Sequence, residues 1–214
     1  MIQLLFNKKL NKFFNNNCLL KTITYINLLF FIHHSTMKLF LIRHTKVDLA
    51  KGICYGQSDV RLADNFEEAA SQIKEKMSKY PFSAIYSSPL QRCALLAQTL
   101  AENEKSIIYD NRLKELNFGK WEGKSWDEIQ ETIEAKHWFN DFINTPCPHG
   151  ESFQDLLVRI SSFINELKQF HNDEILCVIT HSGVIRAFLS IIKEISPLKI
   201  FETKIDYGEV IQIE

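Results

Sequence analysis

The chain has 214 residues, 45% of them hydrophobic and 24% charged, with a formal net charge of −1. That length supports one domain with a sizeable core and leaves two full domains cramped. The charge balance lacks the basic excess of a nucleic-acid binder, although a local cluster of Arg and His can still hold an anion in a neutral protein.

Residues 1–36 differ from the rest. They contain the run Asn15, Asn16, Asn17 and no Gly, Pro, Asp or Glu. Lys8, Lys9 and Lys12 precede an apolar stretch from Tyr25 to Ile32, interrupted by Asn27. The stretch is too short for a bilayer, which needs about 20 apolar residues. No small-residue cleavage site follows it, which weighs against a secretion signal, the competing reading. Residues 1–36 are therefore expected to be an atypical extension, either upstream of a true start at Met37 or disordered. Residues 37–214 are expected to form the domain.

From Met37 the elements alternate. Lys38 to Ile42 is an apolar run, predicted to be a buried strand that ends at Arg43-His44. A polar loop with Gly52 and Gly56 follows. Ala69, Ala70, Ile73 and Met77 recur at helical spacing, which predicts a helix over 66–80 stopped by Pro81. Ser83 to Tyr86 is a second strand. Ser88-Pro89 reads as N-cap and first helical residue of a helix running to about Glu102. Ser106 to Tyr109 is strand-like, 110–124 is a loop, and Trp126 to Phe142 is predicted helical. Phe153, Leu156, Leu157, Ile160, Phe163, Ile164 and Leu167 define one helix face. Ile175 to Thr180 is a buried strand, Val184 to Ile195 a helix, and Val210 to Ile213 the last strand. This alternation predicts an α/β three-layer sandwich, a mostly parallel sheet with helices on both faces.

Two of the strands end in histidine, giving Arg43-His44-Thr45 and Thr180-His181-Ser182-Gly183. Both imidazoles then lie at the carboxyl edge of the sheet, where ligands bind in such folds. Arg92 falls in the first turn of the helix after Ser88-Pro89, near free backbone N–H groups. A phosphomonoester needs these residue types: Arg43 and Arg92 as donor forks, a neutral imidazole as nucleophile, and a carboxyl to protonate the leaving oxygen. Glu115 and Glu122, in the loop from Leu113 to Gly123, are the carboxyl candidates. No H-E-x-x-H, P-loop or C-x-x-C is present, so no metal or other cofactor is expected. Five widely spaced cysteines (Cys18, Cys54, Cys93, Cys147, Cys177) suit a reducing cytosol. His137, His149 and His171 read as surface residues. Phe118, Trp121, Trp126, Trp138 and Phe139 suggest an apolar wall for a flat group, and the last two a lid or local core.

These residues, in this order, resemble the histidine phosphatase superfamily, also called phosphoglycerate mutase-like. Arg43-His44-Thr45 is similar to its R-H-G signature, and Ser87-Ser88-Pro89-Leu90-Gln91-Arg92 to its S-S-x-L-x-R motif. Glu115 to Gly123 matches E-x-x-F-G-x-W-E-G, Gly150-Glu151-Ser152 the G-E-S segment, and His181-Ser182-Gly183 the late H-x-G. The resemblance implies a phosphohistidine mechanism without metal. His44 would be the nucleophile, Arg43, Arg92 and His181 the phosphate pocket, and Glu115 the proton donor and later base. Glu122 in its W-E-G context reads as structural. Thr45 departs from the family's Gly, and Ala50 stands where many members have Asn, which puts the mutase reaction in doubt. Gly52 to Val60 is similar to the same segment of α-ribazole phosphatases, so Tyr55, Gly56, Gln57 and Ser58 are expected at the substrate rim. The expected reaction is hydrolysis of α-ribazole 5′-phosphate or a late cobalamin phosphate. The alternatives are a broad-specificity phosphatase, a phosphoglycerate mutase and a non-catalytic phospho-ligand binder. The expected partner is a small phosphomonoester, with no nucleic acid and no membrane, in the cytoplasm.

Overall fold

A computed structural model describes residues 37–214 apart from 103–104 and 172. The expectations on residues 1–36 lie outside the described residues. Five strands make one sheet: β1 (Lys38–Arg43), β2 (Ala84–Ser87), β3 (Ile107–Tyr109), β4 (Ile175–Thr180) and β5 (Val210–Ile213), in the order β3-β2-β4-β1-β5. β1, β2, β3 and β4 run parallel, and β5 pairs antiparallel on the edge beside β1.

The helices are α1 (Phe66–Met77), α2 (Gln91–Ala101), α3 (Trp126–Gln130), α4 (Ile133–Asn140), α5 (Phe153–Phe170), α6 (Ser182–Ile192) and α7 (Pro197–Ile200). The strand alternation sorts them into two layers. Leu39, Leu41, Leu176 and Val178 pack with Leu156, Ile160, Phe163 and Phe188 of α5 and α6. Phe40, Ile42, Cys177 and Ile179 pack with Ala70, Ile73, Leu96 and Ala97 of α1 and α2. Successive strand residues point to opposite faces, so apolar runs such as Leu-Phe-Leu-Ile bury both sides at once. Three layers and a mostly parallel sheet follow, as the alternation predicts.

Four local expectations are corrected. Helix α2 begins at Gln91 with Leu90 as its cap residue, not at Ser88-Pro89. The Ser88 hydroxyl is engaged by His181 Nε2 at 2.9 Å, and a carboxylate oxygen of Asp59 accepts the Gln91 N–H at 2.8 Å instead. The stretch 126–142 is two helices, because the Thr132 side chain accepts the Ala135 N–H and starts a new one. The helix predicted at 184–195 runs from Ser182 to Ile192. His171 is not a free surface residue; its Nε2 lies 2.6 Å from the Tyr86 hydroxyl.

The register positions the site. Arg43 is opposite Thr180, and Ser87 is opposite Ile179, so β1, β4 and β2 end side by side. The residues just beyond, His44, His181 and Ser88, share one edge. No helix among the described residues is long and apolar enough to cross a membrane. Leu41 is fully buried in β1. Leu41→Ala is expected to cost about 2–5 kcal/mol of stability, read as a lower urea midpoint with unchanged slope.

Candidate active site

His44 is almost fully buried, and its Nδ1 lies 2.7 Å from the Thr45 carbonyl oxygen. A carbonyl only accepts, so Nδ1 carries the hydrogen and Nε2 keeps its lone pair. Burial holds the His44 pKa well below the usual histidine value; the charges of Arg92 and Arg43 add to this, and the Thr45 carbonyl opposes it. The ring is therefore neutral at pH 7 with a free nitrogen, the form in which imidazole is nucleophilic.

His181 stacks edge-on to His44 with ring centroids 5.1 Å apart. The Arg92 Nε–H donates to His181 Nδ1 at 3.3 Å, so His181 Nε2 carries its hydrogen and donates to the Ser88 hydroxyl. Burial, then the neighbouring His44 and Arg92, holds its pKa well below the ordinary value too.

Arg92 is completely buried. It also donates to the Ser58 carbonyl at 2.9 Å and the Gly56 carbonyl at 2.5 Å. Arg43 lies 3.8 Å over the Tyr207 ring and donates to the Ile205 carbonyl at 2.6 Å. Its buried Nε has no hydrogen-bond partner among the described residues. Glu115 sits at the start of α6: Gly183 N–H reaches one carboxylate oxygen at 3.1 Å, and Leu116 N–H the other at 3.0 Å. A Cβ on Gly183 would come within 2.3 Å of that carboxylate, so a side chain there would displace the Glu115 carboxylate from this position.

Arg43, His44, Arg92, Glu115 and His181 line one cavity of about 190 Å³, together with Ile53, Tyr55, Phe118, Trp126, Ser182 and Tyr207. The five principal residues read from the sequence thus converge. Of the rim residues, Tyr55 lines the cavity, and its hydroxyl lies 2.7 Å from that of Tyr207. Gly56, Gln57 and Ser58 are not among its lining residues. Gly56 gives its carbonyl to Arg92, and a side chain there would strike the Leu116 carbonyl at 2.1 Å. Gln57 donates to the Glu115 carbonyl at 3.1 Å. The backbone N–H groups of Gln57 and Ser58 donate to Glu122 at 2.9 and 2.7 Å.

Glu122 is a staple between loops. Burial opposes its charge, but bonds from the Ser58 hydroxyl and from the N–H groups of Gln57, Ser58 and Phe118 hold its pKa below the usual carboxylate value. Phe118 and Trp126 are cavity wall, whereas Trp138 stacks on Trp126 at 6.1 Å from behind, as local core rather than lid. Tyr207 is the cavity residue absent from the sequence reading; it lies just before β5 and outside every motif.

A second cavity of about 460 Å³ adjoins the first, sharing Ile53, Tyr55, Trp126 and Tyr207. Val47, Leu49 and Ala50 line it together with Lys46 and Lys51, so its wall is mixed apolar and basic.

A family model described as the histidine phosphatase superfamily, branch 1, matches residues 39–214. The chain belongs to that superfamily. It is a phosphatase, of a family acting on small phosphorylated substrates. It is 27% identical over 155 residues to phosphoserine phosphatase 1 of Hydrogenobacter thermophilus, covering 71% of this chain and 74% of that protein. A phosphoserine phosphatase of Entamoeba histolytica, solved with 3-phosphoglyceric acid, superposes with a TM-score of 0.73 at 27% identity, over 83% of this chain and 90% of that one. The α-ribazole phosphatase of Shigella flexneri superposes with a TM-score of 0.77 at 22% identity, over 83% and 90%, and shares the fold.

The two buried histidines predict a pH dependence. Unfolded, each takes up a proton near 6.5; folded, each does so only well below that value. The unfolded state therefore binds more protons in this interval, so stability is full above 6.5 and falls as pH drops toward the lowered values. Melting temperature is expected to fall between about pH 7.5 and about pH 5.5, and to fall less in His44→Asn. Equal slopes in the two proteins would contradict the buried, neutral His44.

Proposed function

We propose that the chain hydrolyses phosphomonoesters through a phosphohistidine on His44. The observation that carries the reading is the free, unprotonated Nε2 of His44 in a cavity lined by two guanidinium groups. In the proposed cycle His44 Nε2 attacks phosphorus, while Arg43 and Arg92 hold the charge on the phosphoryl oxygens and His181, against the edge of His44, turns its N–H from Ser88 to a phosphoryl oxygen when substrate binds. Glu115 gives its proton to the departing alcohol oxygen. Its carboxylate then takes a proton from water, which attacks phosphorus and releases phosphate from His44.

For the alcohol, the proposal is a bulky, flat group of the α-ribazole kind. Support comes from the adjoining chamber of about 460 Å³, whose lining by Tyr55, Trp126 and Tyr207 suits an aromatic base. The likeness of Gly52 to Val60 to α-ribazole phosphatases points the same way. A second reading, a small alcohol such as serine, is favoured by the relatives at 27% identity named phosphoserine phosphatases. We propose the cytosol as its compartment, because the four described cysteines are free and buried and sit in no disulfide.

The test is phosphate release in EDTA from α-ribazole 5′-phosphate, O-phosphoserine and 3-phosphoglycerate. Release is expected to be fastest from the first and absent with His44→Ala. Glu115→Gln is expected to slow it by roughly 10²–10⁴. Fastest release from phosphoserine would replace the bulky alcohol with the small one, and full activity in His44→Ala would remove the mechanism.

A further inference from the structure

Lys114 to Phe118 belong to no helix or strand. A proton donor on such a segment points only as well as its backbone is held, and every backbone polar group there needs a partner. One side chain partners two successive carbonyls of this segment and a third just before it. Arg159, on α5, donates through one terminal nitrogen to the carbonyls of Arg112 and Lys114, the latter at 2.7 Å. Through the other it donates to the Glu115 carbonyl at 3.0 Å. Its Nε and that second nitrogen also form a bidentate pair with Glu151, at 2.9 and 3.0 Å. A guanidinium has five N–H donors, and these five acceptors use all of them.

Glu151 grips the far side of Glu115. Its carboxylate accepts the Asn117 N–H at 2.9 Å, and its own N–H donates to the Asn117 carbonyl at 2.8 Å. The ion pair therefore clasps the chain on both sides of Glu115, with the Arg159 and Glu151 side chains only 16% and 23% exposed. Neither residue lines the catalytic cavity.

We propose that Arg159 and Glu151 are a positioning pair for the proton donor, fixing the direction from which the Glu115 carboxyl meets the leaving oxygen. The inference rests on the reading of Glu115 as the donor. As the bond from His44 Nε2 to phosphorus forms and the ester P–O bond breaks, the Glu115 proton moves to the departing oxygen. An alkoxide needs that proton; 4-nitrophenolate, already stable as an anion, needs little of it. Lysine cannot replace Arg159, because a point charge with three donors lacks the planar fork.

The experiment compares Glu115→Gln, Arg159→Lys, Arg159→Met and Glu151→Gln in the full chain, with 3-phosphoglycerate and 4-nitrophenyl phosphate as substrates. For the Arg159 and Glu151 variants, kcat on the alkyl ester is expected to fall roughly 10–100-fold with KM little changed, the scale of a misplaced catalytic group. On 4-nitrophenyl phosphate the fall is expected to stay under about threefold, because little proton donation is required. Combining Arg159→Met with Glu115→Gln is expected to cost no more than Glu115→Gln alone, the signature of residues acting through one group. Equal losses on both esters in the Arg159 variants, beside an ester-dependent loss in Glu115→Gln, would overturn the positioning role alone. Equal losses in Glu115→Gln itself would overturn the donor reading and the positioning role with it. A melting curve for each variant reads the structural loss separately.

Discussion

The arrangement depends on a guanidinium taken wholly out of water. Arg92 is fully buried, and its protein partners are two loop carbonyls and an imidazole nitrogen rather than a carboxylate. Hydrogen bonds offset part of the desolvation cost, but the positive charge stays uncompensated by those partners. Such a charge has two consequences. It draws an anion into the cavity it borders, and it opposes protonation of His44 and His181 beside it. Arg92 thus contributes both to phosphate affinity and, after burial, to keeping the nucleophile neutral.

Much of the surrounding structure serves to keep that charge in place. The carbonyls of Gly56 and Ser58 must turn inward, and the Glu122 carboxylate holds their loop by bonding the N–H groups of Gln57 and Ser58. Arg92 also sets the tautomer of His181, whose remaining N–H then goes to Ser88. The first N–H of α2, on Gln91, goes instead to Asp59. Parallel strands β1, β4 and β2 bring these groups to one edge. The loop carrying Glu115 has no strand to lean on, so Thr180 bonds the Leu113 carbonyl while Arg159 and Gln57 bond those around it.

The legible part of the sequence was the part with local signals. The strands announced themselves as short apolar runs, and His44, His181 and Arg92 could be placed because each follows a strand end by a fixed, short interval. In the sequence only the W-E-G context separates Glu122 from Glu115; in the fold Glu115 lines the cavity, whereas Glu122 lies outside it and bonds loop N–H groups. What stayed hidden was long-range. Tyr207 is 163 residues from His44 in sequence yet their ring centroids are 5.5 Å apart. Arg159 looks like an ordinary polar position on an amphipathic helix, since three of its five acceptors are carbonyls far away in the chain. Gln57 and Ser58 bond Glu122 and the Glu115 carbonyl, partners that side-chain type alone does not reveal. The break at Thr132 is hidden in the sequence because Trp126, Ile129 and Ile133 keep helical spacing across it.

The central claim is that His44 becomes phosphorylated, and rapid acid-free quenching of the enzyme with a radiolabelled phosphomonoester tests it most directly. The account predicts a burst of label on the protein that survives alkali, is lost in acid, maps to His44 and is absent in His44→Ala. Turnover with no labelled protein at any quench time, or label on another residue, would contradict it.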